Sequence, residues 1–193
     1  MSTYDDAREK TKQKIFNAYW TLYLANQKTT IAKISEAAGI HRSTFYFYYE
    51  TADDVLREIE NRLFAELKAV LSTKNRREKE YRAVMVELRD MFRENRKYLV
   101  PLVVQYKDNT FALRYREFLK ENFAEDIGLD YRSGNAVKND AANCVLAGMI
   151  EMMLYELASE ILPHEYTYLI GNGILYKGVA RTMTEDLNIR FGR

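Results

Sequence analysis

A chain of 193 residues in which apolar residues make up 47% and charged residues 30% has the mass and apolar content for a real core, which excludes a disordered chain. Two prolines and eight glycines leave long helices few obstacles, and a net charge of +1 by itself selects no class of partner. The single Cys144 excludes an intramolecular disulfide. With no basic-then-apolar leader ahead of the first amphipathic segment, a reducing cytoplasm is the expected location.

The period of apolar residues is helical throughout, and no alternating run suggests a strand hairpin. Ile15, Tyr19, Leu22 and Tyr23 form a stripe on a first helix from about Asp5 to Ala25. Thr30 is suited to cap a short second helix that carries Ile31 and Ile34 inward and stops at Gly39. A third helix follows from about Arg42 to Tyr48. Thr51 then caps a long fourth, with Asp53 and Asp54 in its first turn and Val55, Leu56, Ile59, Leu63, Phe64, Leu67, Val70 and Leu71 along its stripe.

The charged segment Lys74 to Glu80 reads as a connection or as the polar first turn of a fifth helix, whose apolar positions include Val84, Leu88 and Phe92. Pro101 limits or kinks a short sixth. Asn109 or Thr110 is the expected cap of a seventh that runs to Gly128, and residues 129–137 read as a loop. Two more helices are expected, from about Lys138 to Leu162 and from about His164 to Leu187. The eighth carries an apolar face too broad for one neighbour, and Gly171, Gly173 and Gly178 in the ninth suggest close packing, so these two helices are the expected homodimer interface. Neither Tyr98 to Tyr106 nor Cys144 to Ala158, which Glu151 interrupts, suits a bilayer span. The expected architecture is therefore all-α with about nine helices: a three-helix helix-turn-helix domain over residues 1–50, then a helical ligand-binding and dimerisation domain over 51–193.

Charge is unevenly spread. Residues 8–49 hold seven bases against two acids, although the excess falls to two when the window is widened to 1–50. This favours a polyanionic partner weakly. The stretch from Thr30 to Tyr49 is more informative: helix, turn with Gly39, then a second short helix is the layout of a helix-turn-helix. Ile34, Ile40 and Phe45 are spaced to fill the wedge between the two helices where Ala38 lets them approach. The second helix then presents Arg42, Ser43, Thr44 and Tyr46 outward.

Thr30, Ile34, Ala38, Gly39, Ile40, Thr44, Phe45, Tyr46, Tyr48 and Tyr49 stand at the spacing T-x-x-x-I-x-x-x-A-G-[IV]-x-x-x-[ST]-[FL]-Y-x-[YH]-[FY]. In this the chain resembles the TetR family of transcriptional regulators. The resemblance is strong over the first third of the chain and rests on helix number and length over the rest. It implies that Arg42, Ser43, Thr44 and Phe47 face the major groove of a double-stranded operator while Thr30, Tyr46 and Tyr48 hold phosphates; Lys33 completes this candidate set. The chemistry is apt, because arginine reads guanine O6 and N7 with two hydrogen bonds and hydroxyls donate to phosphate oxygens. Where the family commonly has lysine before the acidic start of the fourth helix this chain has Ala52, and Glu50 stands at another frequently basic position. Lys10, Lys12 and Lys14 either replace those contacts or form a solvated face.

The aromatic stripe Phe111, Tyr115 and Phe118, with Tyr98, Tyr106 and Tyr155 on neighbouring helices, is either core or the lining of a pocket for an apolar or aromatic effector. His41 and His164 lack metal-ligand spacing, no phosphate loop or nucleophile elbow occurs, and no cluster suggests an enzyme or a cofactor. The expected function is a repressor released from an inverted-repeat operator by a small molecule. An architectural DNA-binding protein with the same fold and no ligand is the alternative.

Overall fold

The computed structural model describes residues 3–72, 81–126 and 136–159. They form eight α-helices and no strand, so the fold is all-α among the described residues. The helices are α1 (Thr3–Leu24), α2 (Ile31–Ala38), α3 (Arg42–Tyr48), α4 (Ala52–Val70), α5 (Tyr81–Glu94), α6 (Arg96–Leu99), α7 (Asn109–Asp126) and α8 (Ala136–Ser159). The segment Lys74 to Glu80 and the expected ninth helix lie outside the described residues, as does most of the expected loop at 129–137. So do Gly171, Gly173 and Gly178, and with them half of the expected dimer interface.

The chain divides into two compact units, residues 1–65 and 66–193, and the division falls inside α4. In the first unit, Ile15, Phe16, Tyr19 and Trp20 of α1 are buried together with Ile34 of α2, Phe45 of α3, Tyr49 and the first α4 positions Val55, Ile59 and Leu63. The first half of α4 thus completes the core of the three helices that precede it. Burial of Tyr19 pushes its phenol up to about 12, so it stays neutral and serves as an apolar ring.

Local chemistry sets where these helices stop. Asn26 takes a left-handed conformation (φ 53°), and the N–H groups of Asn26 and Gln27 donate back to the carbonyls of Tyr23 (3.1 Å) and Leu22 (3.0 Å). This is the Schellman arrangement, with asparagine in the place that glycine usually takes. Thr51 and Asp54 open α4 as a reciprocal pair: the Thr51 N–H donates to Asp54 Oδ2 (2.6 Å), and the Asp54 N–H donates to Thr51 Oγ1 (3.3 Å).

In the second unit, α7 and α8 pack on each other and on a wide π-helical turn, Val100–Val104, which continues directly from α6. Leu102 and Val103 of the turn are buried with Phe111, Tyr115, Leu119 and Phe123 of α7 and with Leu146, Ile150 and Leu154 of α8. Asn95, almost wholly buried, joins α5 to α6: its Nδ2 donates to Glu66 Oε2 (2.6 Å) and to the Met91 carbonyl (3.0 Å), while its own carbonyl receives the N–H groups of Tyr98 and Leu99. Arg96 donates from Nε and Nη2 to the carbonyls of Leu157 and Ala158, both at 2.8 Å, and so caps the last turn of α8.

Two details differ from the sequence expectation. The cap of α7 is Asp108, whose carboxylate accepts the Phe111 N–H at 2.8 Å, and neither Asn109 nor Thr110 takes that role. Pro101 does more than end a helix. The Gln105 N–H reaches the Val100 carbonyl (2.9 Å) and the Lys107 N–H reaches the Pro101 carbonyl (3.0 Å), which leaves Tyr106 at φ 52°. Such a conformation is costly for a bulky side chain. The Arg116 guanidinium braces it by lying 4.6 Å from the Tyr106 ring centroid, while the same arginine pairs with Glu151 on α8.

Candidate nucleic-acid interface

The second and third helices are set against each other by one cap and one turn. Thr30 has extended backbone (φ −82°, ψ 149°), and its hydroxyl oxygen accepts the Lys33 N–H at 3.4 Å, which places the start of α2. Gly39 ends it at φ 64°, ψ 40°, with the Gly39 N–H on the Glu36 carbonyl (3.1 Å) and the Ile40 N–H on the Ser35 carbonyl (3.0 Å). A Cβ at this position would meet no atom within 4 Å, so glycine is required by the sign of φ and not by crowding. The wedge forms as the spacing predicts: Ile34 and Phe45 are fully buried, while Ile40 and Ala38 are partly covered.

At about 100° per residue, Arg42, Tyr46, Ser43 and Phe47 follow one another around one side of α3. Those four are exposed, Tyr46 at 58% and Phe47 at 63%. Phe45 points the other way into the core, and Thr44 and Tyr48 flank it half-buried. A helix of seven residues that carries four rings cannot bury them all. Its buried side therefore anchors it, and its exposed side combines a guanidinium, a hydroxyl, a phenol and a phenyl ring.

A polar link fixes the far end of α3. The Tyr49 hydroxyl donates to Glu58 Oε2 at 2.8 Å, and Lys12 of α1 pairs with the other oxygen of the same carboxylate while its Nζ lies 5.9 Å from the Tyr49 ring centroid. Burial, followed by the bond and charge of Glu58, raises the Tyr49 pKa far above the ordinary phenol value, so the donor persists across the whole useful pH range. Rings of Phe16 (6.2 Å) and Phe45 (5.7 Å) pack on Tyr49 from the apolar side. Tyr49 thus joins α1, the end of α3 and α4 in one cluster.

Of the candidate cations, Lys33 and Arg42 are exposed, as are Lys10, Lys14 and Lys28. Lys12 is engaged by Glu58, which separates it from its two neighbours. Thr30 is exposed, and its role as a cap leaves its hydroxyl proton available. The structure adds a cation to the set. Arg8 of α1 lies with its guanidinium carbon 5.6 Å from the Phe47 ring centroid. Nothing in the spacing of the sequence marks Arg8, because the contact arises only when α1 and α3 fold together.

The six aromatic candidates in the second unit do not share one environment. Tyr98, Phe111 and Tyr115 are buried at 2% exposure or less, Phe118 is half-buried, and Tyr106 and Tyr155 lie at the surface. Phe111 and Tyr115 contact each other at 5.5 Å between centroids, Phe92 stands 6.5 Å from Tyr115, and Lys68 Nζ stands 5.9 Å from the Phe118 ring. Among the described residues no helix is long and apolar enough to cross a membrane, and no group of three or more His, Cys, Asp or Glu side chains is placed to hold a metal ion. Compared with protein-family models, with curated proteins and with solved structures, the chain matches none.

Proposed function

We propose that this chain is a sequence-specific, DNA-binding transcriptional regulator of the TetR type, acting as a homodimer on an inverted-repeat operator. The observation that carries the reading is the solvent-facing arc of α3, where Arg42, Ser43, Tyr46 and Phe47 stand exposed on a short helix held by a buried Phe45 and by the glycine turn before it. A helix so placed fits the major groove, and its residue types divide into a base reader (Arg42) and phosphate donors (Tyr46, Thr30). The exposed cations Lys10, Lys14, Lys28 and Lys33 supply the sequence-independent attraction.

Ligand control belongs to the same proposal. The effector would be a small apolar or aromatic molecule bound in the second unit, and α4, which starts beside the reading helix and ends in that unit, is the lever. Such control requires the ligand to prefer the non-binding state by ~1–3 kcal/mol, with DNA weakening the ligand equally. Selection from random duplexes tests the reading directly: a small set of related inverted repeats is expected. Broad retention of unrelated duplexes would favour an architectural role, and no retention would overturn DNA binding.

A further inference from the structure

We infer that Phe47 reads the 5-methyl group of a thymine, and that Arg8 holds the Phe47 ring in place for that contact while donating to a neighbouring phosphate. The inference rests on the DNA-binding reading above and names one base of the site. Among the described residues of the first unit Phe47 is the most exposed large apolar side chain, and it stands on the exposed arc of α3, one turn beyond Ser43. An unsupported phenyl ring there would swing freely. This one is fixed twice: the guanidinium of Arg8 lies 5.6 Å from its centroid, and Tyr48 meets it edge to face at 5.1 Å and 84°.

The ring can neither donate nor accept a conventional hydrogen bond, so the donors and acceptors of the groove floor give it nothing. The thymine methyl is the apolar group that the major groove offers, and apolar side chains are its partners. Tyr46, by contrast, keeps a hydroxyl for a phosphate. Arg8 is exposed and has no ion pair among the described residues, so its charge is available to the backbone that runs past Phe47. The cation over the ring and the phosphate contact are compatible, because the guanidinium stacks by its face and donates from its edge.

The test uses the full chain and the best duplex from the selection described above, with each thymine replaced singly by deoxyuridine. That change removes only a methyl group and keeps base pairing. At one thymine per half-site the wild type is expected to lose about fourfold in affinity, the worth of one methyl group of apolar contact. Phe47→Ala is expected to bind the thymine and deoxyuridine duplexes equally. Arg8→Ala should bring the thymine-to-deoxyuridine ratio towards one and lower the salt slope of binding by about two, one phosphate contact for each protomer of the dimer. If no deoxyuridine substitution matters to the wild type, or if the ratio persists in Phe47→Ala, the Phe47 assignment is wrong while DNA binding stands. An unchanged ratio in Arg8→Ala overturns the positioning role. If the wild type selects no duplex at all, the DNA reading fails and this assignment fails with it.

Discussion

Two runs of aromatic side chains in this molecule meet opposite environments. On α3, Phe45 is buried but Tyr46 and Phe47 are mostly exposed; on α7, Phe111 and Tyr115 are fully enclosed. Composition does not separate them, since both runs mix phenylalanine and tyrosine. Helix length and spacing do. The 18-residue α7 repeats its rings at i and i+4 and so aligns them on one face, which the π-helical turn and α8 cover. The seven-residue α3 places consecutive rings about 100° apart and spreads them around the axis. A stripe can be enclosed on one face, whereas a consecutive run must leave some rings at the surface.

The sharpest way to break that contrast is to truncate one ring from each run. Phe111→Ala should cost about 3–5 kcal/mol of stability in a denaturant titration followed by circular dichroism, as expected for a large ring removed from a packed core. Phe47→Ala should stay within about 0.5 kcal/mol of the wild type in the same titration. Equal losses would mean that exposure on α3 does not distinguish its rings from those of α7. A smaller effect is expected from Arg42→Ala, which should weaken the best duplex by ~1–3 kcal/mol per half-site and relax base choice at one position in each, without shifting the melting temperature. Unchanged affinity and preference, measured by titrating fluorescent duplexes, would remove Arg42 from the reading face.

Next in size is Gly39→Ala. No atom would obstruct the added methyl, so the expected loss of about 1–2 kcal/mol comes from the left-handed backbone alone, and Gly39→Asn should lose less. Trp20, the chain's single tryptophan, sits in the core of the first unit and reports this loss by fluorescence. The smallest effect concerns Asp54, which its hydrogen bonds to Arg57 and Thr51 hold at a pKa of about 2 against an ordinary 3.8. Because the folded-state value is the lower one, the contribution of the carboxylate is present above about pH 4 and is lost as pH falls towards 2. The stability gap between wild type and Asp54→Asn should therefore narrow over that window. A gap independent of pH would show that the carboxylate charge contributes nothing at the start of α4.

The parts of this fold that were legible in the sequence are those decided within a few residues. Thr30, Gly39 and Thr51 each act on backbone three or four positions away, so their letters are sufficient. Features that depend on distant partners were not legible. Lys12 reads like Lys10 and Lys14 until Glu58, 46 residues along the chain, singles it out. Pro101 announces an interruption, but the width of the turn around it involves Arg116, whose Nη2 donates to the Val103 carbonyl at 3.3 Å. Periodicity also cannot separate a packed stripe from a cavity lining, because both require apolar residues on one face. Phe111 and Tyr115 are enclosed, which either reading allows.

The cluster around Tyr49 bears on the thermodynamics of encounter. A segment that orders only on contact must surrender conformational freedom at that moment, and its association carries a large heat-capacity change beyond that of the interface itself. Here α3 is already tied at its far end through Tyr49 and Glu58, and through the same carboxylate to Lys12 on α1. On the proposed reading its side chains would meet a duplex preorganised, so the interaction energy of Arg42 and Phe47 would go into discrimination between sequences and not into ordering the helix that carries them.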